Sequence, residues 1–178
     1  MDFQLYAFSL NKMDQHSINQ IALLHPVARV DSTNAWIEVQ AAMPPHVKVQ
    51  VGESLRSFER TDALYKLGRT VVNPDGKSAN KPRGDIVSWA KAGLSWHDWG
   101  LAFDMTMTTN GKEDWTVGPN WMKVVSIMKK HGWEWGGDFP FGKEDNPHFE
   151  KKYGQTLSGL MALHNAGKFI PGTRYIQF

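Results

Sequence analysis

Residues 95–104 read Ser95-Trp96-His97-Asp98-Trp99-Gly100-Leu101-Ala102-Phe103-Asp104. Gly100 permits a sharp bend, and beyond it Leu101, Phe103 and Met105 alternate with Ala102, Asp104 and Thr106. That period of two marks a strand with one buried face. His97 therefore sits on a turn and Asp104 on the strand that leaves it. On a straight strand an offset of seven residues would send the two side chains to opposite faces. The bend removes that restriction, and the small side chain of Ala102, on the same face as Asp104, leaves room beside the carboxylate. An imidazole and a carboxylate can then converge on one cation.

Outward from this stretch, the chain alternates short helical and extended segments. Ser17 to Leu24 reads as a short helix. Pro26 can open a second, running to about Met43, because proline fits a first helical turn and Pro44 and Pro45 block continuation. Val47, Val49 and Val51 in HVKVQV alternate with polar residues as in a half-buried strand. Ser57 can cap a helix bearing Phe58, Leu64 and Leu67 that stops at Gly68. Arg69 to Asp85 is rich in Asn, Pro, Asp and Gly and reads as a long loop, a length often tied to function or mobility. Asn110-Gly111 signals a hairpin turn. Asn120 can cap a helix carrying Trp121, Val124, Val125 and Met128 that ends at Gly132. Strands through Trp133 and Trp135 and at His148 to Glu150 follow, then a last helix from about Thr156 to Asn165. Helices and short strands without regular βαβ alternation predict an α+β fold with a small, mostly antiparallel sheet packed with helices.

The 178 residues suit one domain, 1–178, and with 41% hydrophobic and 21% charged residues they can bury a core of their own. No repeat or linker is visible, so no separate second domain is expected. Lys and Arg total 20 against 18 Asp and Glu, a balance far from that of a dedicated nucleic-acid binder. The absence of cysteine excludes disulfides, thiolate zinc fingers, iron–sulfur clusters and cysteine nucleophiles. Any metal must rest on His, Asp and Glu. MDFQLYAFSLNK lacks the basic and apolar regions of a secretory signal, and no window is apolar for the length of a membrane span. The expectation is a protein made in the cytoplasm without a membrane anchor.

Of the seven histidines, His16, His25, His46, His131 and His164 lack acidic neighbours at ligand-like spacing and read as surface or packing residues. His148 differs: it lies in DNPHFE, three residues after Asp145 and two before Glu150, on an approach stiffened by Pro147. Two His and one Asp make the three-ligand set of a catalytic zinc, with the fourth position left to water, and Asp145 is the obvious base beside it. The spacing alone is equally compatible with Asp104 and Asp145 as turn or cap residues.

SWHDWGLAFD fits the Ser-x-His-x-x-Gly-x-Ala-x-Asp signature of the zinc peptidases grouped with D-alanyl-D-alanine carboxypeptidases and the Hedgehog signalling domain. GWEWGGDFPFGKEDNPHFE resembles the second motif of L-alanyl-D-glutamate peptidases found as bacteriophage endolysins, and SLRSFERTDALYKLGRT resembles the segment preceding their first motif. The similarity runs from about Val47 to Glu150. It implies a Hedgehog/D,D-peptidase-like fold, Zn2+ held by His97, Asp104 and His148, and Asp145 as catalytic acid/base. It places Arg56 on a substrate carbonyl or developing oxyanion, a task suited to the fixed donors of a guanidinium. Ser95 would touch substrate or orient a ligand.

The implied activity is zinc-dependent hydrolysis of bacterial peptidoglycan at the L-alanyl-D-glutamate bond, by a monomeric endolysin that reaches the wall through holin-type release and lyses the host. Within the class the alternative is a D-alanyl-D-alanine carboxypeptidase. Outside it the alternative is a non-catalytic zinc-containing binding module, against which Asp145 and Arg56 argue, since structural zinc needs neither. A metal-dependent nuclease is disfavoured by the charge balance. The sequence departs from the family in its expanded VVNPDGKSANKPRGD loop and in Thr61, near a position where relatives often carry Gln. Trp96, Trp99, Trp133 and Trp135 read as packing rather than a peptide groove, and Lys77, Lys81 and Arg83 as a solvated loop rather than a site for an anionic wall polymer.

Overall fold

Asp14 opens the first described helix, α1 (Gln15–Ala22), where its carboxylate accepts from the Ser17 backbone N–H at 2.9 Å and from the Ser17 hydroxyl at 2.7 Å. The computed structural model describes residues 13–178; the N-terminal stretch read above for a secretory signal lies outside them. The remaining elements are α2 (Pro26–Ala42), β1 (Val47–Val51), α3 (Phe58–Lys66), a 3-10 turn (Trp96–Trp99), β2 (Ala102–Thr109), β3 (Lys112–Glu113), α4 (Pro119–Lys130), β4 (Glu134–Trp135), a second 3-10 turn (Gly136–Asp138), β5 (His148–Glu150) and α5 (Leu157–Asn165). The α+β class and the mostly antiparallel sheet expected from the sequence are both present. None of the described helices is long and apolar enough to cross a membrane.

Two compact units are distinguished: the described part of Met1–Leu55 with Gly100–Tyr153, and Arg56–Trp99 with Gly154–Phe178. The first holds the sheet, in strand order β1-β2-β5-β4, with β3 paired to β2. All pairings are antiparallel. Val47 faces Thr109 and Val51 faces Met105, while farther along β2, Ala102 faces Glu150 and Asp104 faces His148. Asn110 and Gly111 both take positive φ in the turn from β2 to β3, as the sequence pair predicts.

The alternation read from β2 reappears in its burial from Phe103 on: Leu101, Phe103, Met105 and Met107 are inside, and the small Ala102 on the other face is buried as well. Trp36 and Val39 of α2 and Trp121, Val124 and Met128 of α4 are buried as well. Phe103 anchors this core, with its ring 5.7 Å from Trp36 and 4.8 Å from Trp133, both edge-on. Removing such a side chain typically costs about 3–5 kcal/mol. Gly100 has φ 67°, and a Cβ there would lie 2.7 Å from the His25 backbone nitrogen. The bend before β2 therefore requires glycine for its conformation and for its space.

The second unit is built on α3 and α5. Ser57 caps α3 by accepting from Arg60 N–H at 3.2 Å, and Thr156 caps α5 by accepting from Gly159 N–H at 3.0 Å. Phe58 packs its ring 5.4 Å from Trp99 and 5.1 Å from His164. Two helices differ from the sequence expectation: α1 runs Gln15–Ala22 where the sequence predicts Ser17 to Leu24, and α4 is opened by Gly118 and Pro119 with no side-chain cap, not by Asn120.

Candidate metal centre

Asp104 and His148 face one another because β2 and β5 pair in antiparallel register. The register continues past the ends of the strands: Met105 N–H donates to Pro147 O at 2.9 Å, and Asp104 N–H to Glu53 O at 2.8 Å. Trp135 Nε1 donates to Asn146 O at 2.7 Å and pins the Asp145–Pro147 turn from the side. Gly136 lets the chain come close to that turn, since a Cβ there would fall 2.3 Å from Asp145 O and 3.0 Å from His148 Cβ. Asp145 is exposed on this turn, and its carbonyl accepts from His148 N–H at 3.1 Å.

The His148 ring lies between two carboxylates. Its Nδ1 is 3.3 Å from Asp104 Oδ1 and its Nε2 is 3.0 Å from Glu150 Oε2. Burial favours the neutral imidazole, yet the hydrogen bonds to Asp104 and Glu150 and the charges of Asp104 and Asp145 outweigh it and push the pKa up to about 9. In the metal-free chain, then, the surroundings of this ring call for positive charge.

His97 is placed by its own turn. The carboxylate of the adjacent, buried Asp98 accepts from Gly93 N–H at 2.7 Å, from Ser95 N–H at 3.4 Å and from the Thr61 hydroxyl of α3. Burial, opposed by these bonds, raises the Asp98 pKa. Ser95 Oγ accepts from His97 N–H at 3.3 Å, and His97 O accepts from Arg56 N–H at 3.0 Å. Three sequence-named residues, Arg56, Ser95 and His97, thus share one stretch of backbone bonding.

One donor atom from each of His97, Asp104 and His148 lies within 4.8 Å of the other two, the sole such group of three among the described residues. The donor chemistry fits zinc, which takes imidazole nitrogen and carboxylate oxygen. The spacing fits as well: two donors about 2.1 Å from one tetrahedral centre stand about 3.4 Å apart, close to the 3.3 Å between His148 Nδ1 and Asp104 Oδ1. With His148 Nε2 on Glu150, Nδ1 is the nitrogen that would face a metal, the usual division of labour in a metal-bound histidine.

Three other histidines, His25, His131 and His164, serve the scaffold, and His16 and His46 are exposed. His25 caps α2 by accepting from Val27 N–H at 3.2 Å, and His131 pairs with Glu38 at 2.9 Å. Trp99, Trp133 and Trp135 are buried and Trp96 half-buried, so packing is their role. Sequence reading missed the Thr61–Asp98 bond and kept Glu150, on the strand face of His148, only as the next candidate base after Asp145. Thirty-seven residues separate Thr61 from Asp98, and no local pattern signals that contact. The Glu150 contact had a local signal, because residues i and i+2 on a strand share a face.

Comparison with known proteins places the chain among peptidases. The D-alanyl-D-alanine carboxypeptidase family profile matches residues 89–151, a span containing His97, Asp104, Asp145 and His148. The peptidoglycan L-alanyl-D-glutamate endopeptidase CwlK of Bacillus subtilis (strain 168) is 34% identical over 164 residues, covering 80% of this chain and 86% of its own. The crystal structure of the Serratia marcescens L-Ala D-Glu endopeptidase ChiX shares the fold with a TM-score of 0.55 at 20% identity, over 79% of this chain and 90% of its own. The chain is an enzyme of the peptidase class. More narrowly, it belongs to the family of peptidases that includes the L-alanyl-D-glutamate endopeptidase CwlK.

Proposed function

We propose that the chain is a zinc-dependent peptidoglycan hydrolase that cuts the stem peptide between L-alanine and D-glutamate. The observation that carries this reading is the convergence of His97, Asp104 and His148 donors, with Asp145 exposed on the turn just ahead of His148, in a chain 34% identical to an L-alanyl-D-glutamate endopeptidase. His97, Asp104 and His148 would hold the zinc. Bound there, it supplies a Lewis acid for the scissile carbonyl and lowers the pKa of water to about 7.

The chain's own residues do the rest. Asp145 accepts a proton from the attacking water and delivers it to the leaving D-glutamate nitrogen, so that one water is consumed and a carboxyl and an amine are released. Arg56 donates to the oxygen on which negative charge grows. Ser95 steadies the His97 turn through its hydroxyl. Glu150 holds the Nε2 side of the His148 ring, leaving Nδ1 directed at Asp104. In the same proposal residues 1–178 work as a single peptidase domain and a monomer. The enzyme is a bacteriophage endolysin, made in the host cytoplasm and released to the wall for lysis.

Digestion of purified peptidoglycan followed by mass spectrometry tests the reading. The expected products are stem peptides with a new D-glutamate amino terminus and L-alanine left on the muramic acid. Loss of a terminal D-alanine alone would overturn it in favour of a carboxypeptidase. An intact wall after treatment with zinc-loaded protein would favour a binding module without catalysis.

A further inference from the structure

The proposed chemistry does not use the 69–91 segment, which is built rather than slack. Asn73 N–H donates to Arg83 O at 2.8 Å, Asn73 Nδ2 to Asp85 O at 2.9 Å, and Asp85 N–H to Asp75 O at 3.1 Å. Gly68 and Gly84 sit at positive φ where the strands of the loop touch: a Cβ on Gly68 would meet Asp85 O at 2.3 Å, and one on Gly84 would meet Asn73 O at 2.0 Å. Such close backbone contact needs glycine. The loop encloses an open groove of about 940 Å³ lined by Gly68, Lys81, Arg83, Asp85, Ile86 and Trp89 among others. That is the size at which small-molecule sites occur, about 300–1,000 Å³.

Trp89 is 68% exposed on the wall of this groove, an unusual position for so large an apolar ring. It is nevertheless braced. The Arg69 guanidinium lies 3.9 Å from the Tyr65 ring centroid and 5.3 Å from that of Trp89. Arg69 Nη1 in turn donates to Tyr65 O at 2.5 Å and to Ser88 O at 2.7 Å. A braced indole beside an open groove is a stacking platform whose ordering cost is already met on folding. The charge is uneven too. Residues 66–91 hold six Lys and Arg against two Asp, whereas the rest of the chain holds fourteen against sixteen acidic residues.

We infer that this groove is a second substrate-binding site that takes the glycan strand of peptidoglycan, with a hexosamine ring stacked on Trp89. The inference rests on the proposed function for its choice of polymer. A sugar ring offers an apolar C–H face to the indole, and its hydroxyl and acetamido oxygens can accept from donors of groove-lining residues: the Asn80 amide, the remaining protons of the Lys81 ammonium, which pairs with Asp85 at 2.6 Å, and the remaining N–H groups of Arg83, whose Nη1 donates to Arg69 O at 2.9 Å. The surplus positive charge suits the carboxylates of stem peptides carried along the same strand. The site would hold the polymer while the catalytic centre works on its peptides.

The test uses the full chain and two probes: a peptide-free oligosaccharide of alternating N-acetylglucosamine and N-acetylmuramic acid, and a free stem peptide. The oligosaccharide should bind saturably in calorimetry. Trp89→Ala should weaken that binding at least tenfold, Trp89→Phe should keep part of it, and Arg83→Gln should weaken it less. Trp89→Ala should also raise KM for whole sacculi while leaving kcat/KM for the free stem peptide unchanged. No saturable glycan binding, or Trp89→Ala binding as tightly as the parent, overturns the inference. So does binding of a polyphosphate polymer in place of the glycan. If the oligosaccharide binds through Trp89 but the stem peptide is not cut, the groove stands and the proposed activity falls.

Discussion

The two histidine-bearing motifs are held in different ways. His97 is positioned through its backbone: the buried Asp98 carboxylate gathers Gly93, Ser95 and Thr61, and the turn they form carries the imidazole. His148 is positioned through its ring. The strand pairing sets it opposite Asp104, and Glu150 at 3.0 Å fixes which nitrogen faces the carboxylate of Asp104. Damage to the first support should therefore appear as lost stability, and damage to the second as lost metal affinity with the fold intact.

The comparison breaks outright if the two histidines are not ligands of one ion. His97→Ala and His148→Ala should each take zinc from about one per chain to near none, because a three-ligand site that loses one protein donor is no longer that of a catalytic zinc. Elemental analysis of the purified variants reads this directly. Full zinc occupancy in either variant would remove that residue from the site. Asp145→Asn comes next in size. It should keep its zinc and its melting temperature while kcat falls by about 10²- to 10⁴-fold, the usual contribution of a general acid/base. Undiminished turnover would transfer the role to another group.

Glu150 separates the two supports. Glu150→Ala should weaken zinc about 10- to 100-fold, as loss of a carboxylate behind a metal-bound histidine does, measured by competition with a chromophoric chelator. Glu150→Gln, which keeps an acceptor oxygen, should lose less. Asp98→Ala should do the reverse. It leaves buried donors from Gly93, Ser95 and Thr61 without their acceptor, a cost of about 3 kcal/mol, visible in chemical denaturation of the metal-free protein. If Asp98→Ala lowered zinc affinity with no loss of stability, the distinction between the two motifs would be false.

What the sequence reveals follows from what is local. The period-two burial of β2, the bend at Gly100, the Asn110-Gly111 turn and the Ser57 cap are all written within a few residues of where they act, and each appears in the structure. The candidate ligands were legible because their spacing matches two short motifs. The Thr61–Asp98 bond and the bracing of Trp89 by Arg69 and Tyr65 were not, because each depends on segments brought together only by the fold. The start of α1 illustrates the same limit on a small scale. Ser17 is a good capping residue by type, but Asp14 caps because its carboxylate also reaches Gln50 of β1, at 2.9 Å.

That Asp14 network supplies the smallest and most general test, since it belongs to neither motif. Asp14 accepts from Ser17 and Gln50, while Ser17 Oγ accepts from Val51 N–H at 3.0 Å, tying the start of α1 to β1. Burial would raise the Asp14 pKa, but the bonds from Ser17 and Gln50 outweigh it and hold the carboxyl below its ordinary value. A folded-state pKa below the unfolded one means that the stabilisation is complete above the unfolded value, about 3.9. It is lost as pH falls through the lower, folded value. Asp14→Ala should cost about 1 kcal/mol, the usual loss at a helix cap. The gap in melting temperature between parent and variant should stay constant from pH 7 to about 5 and close below about 4. Zinc affinity and turnover should not change. A gap that persisted in acid would mean that the cap works through packing rather than charge, and a parallel fall in zinc affinity would mean that the His148 strand is sensitive to any loosening of the sheet, so that the effect of Glu150→Ala could no longer be assigned to the ring alone.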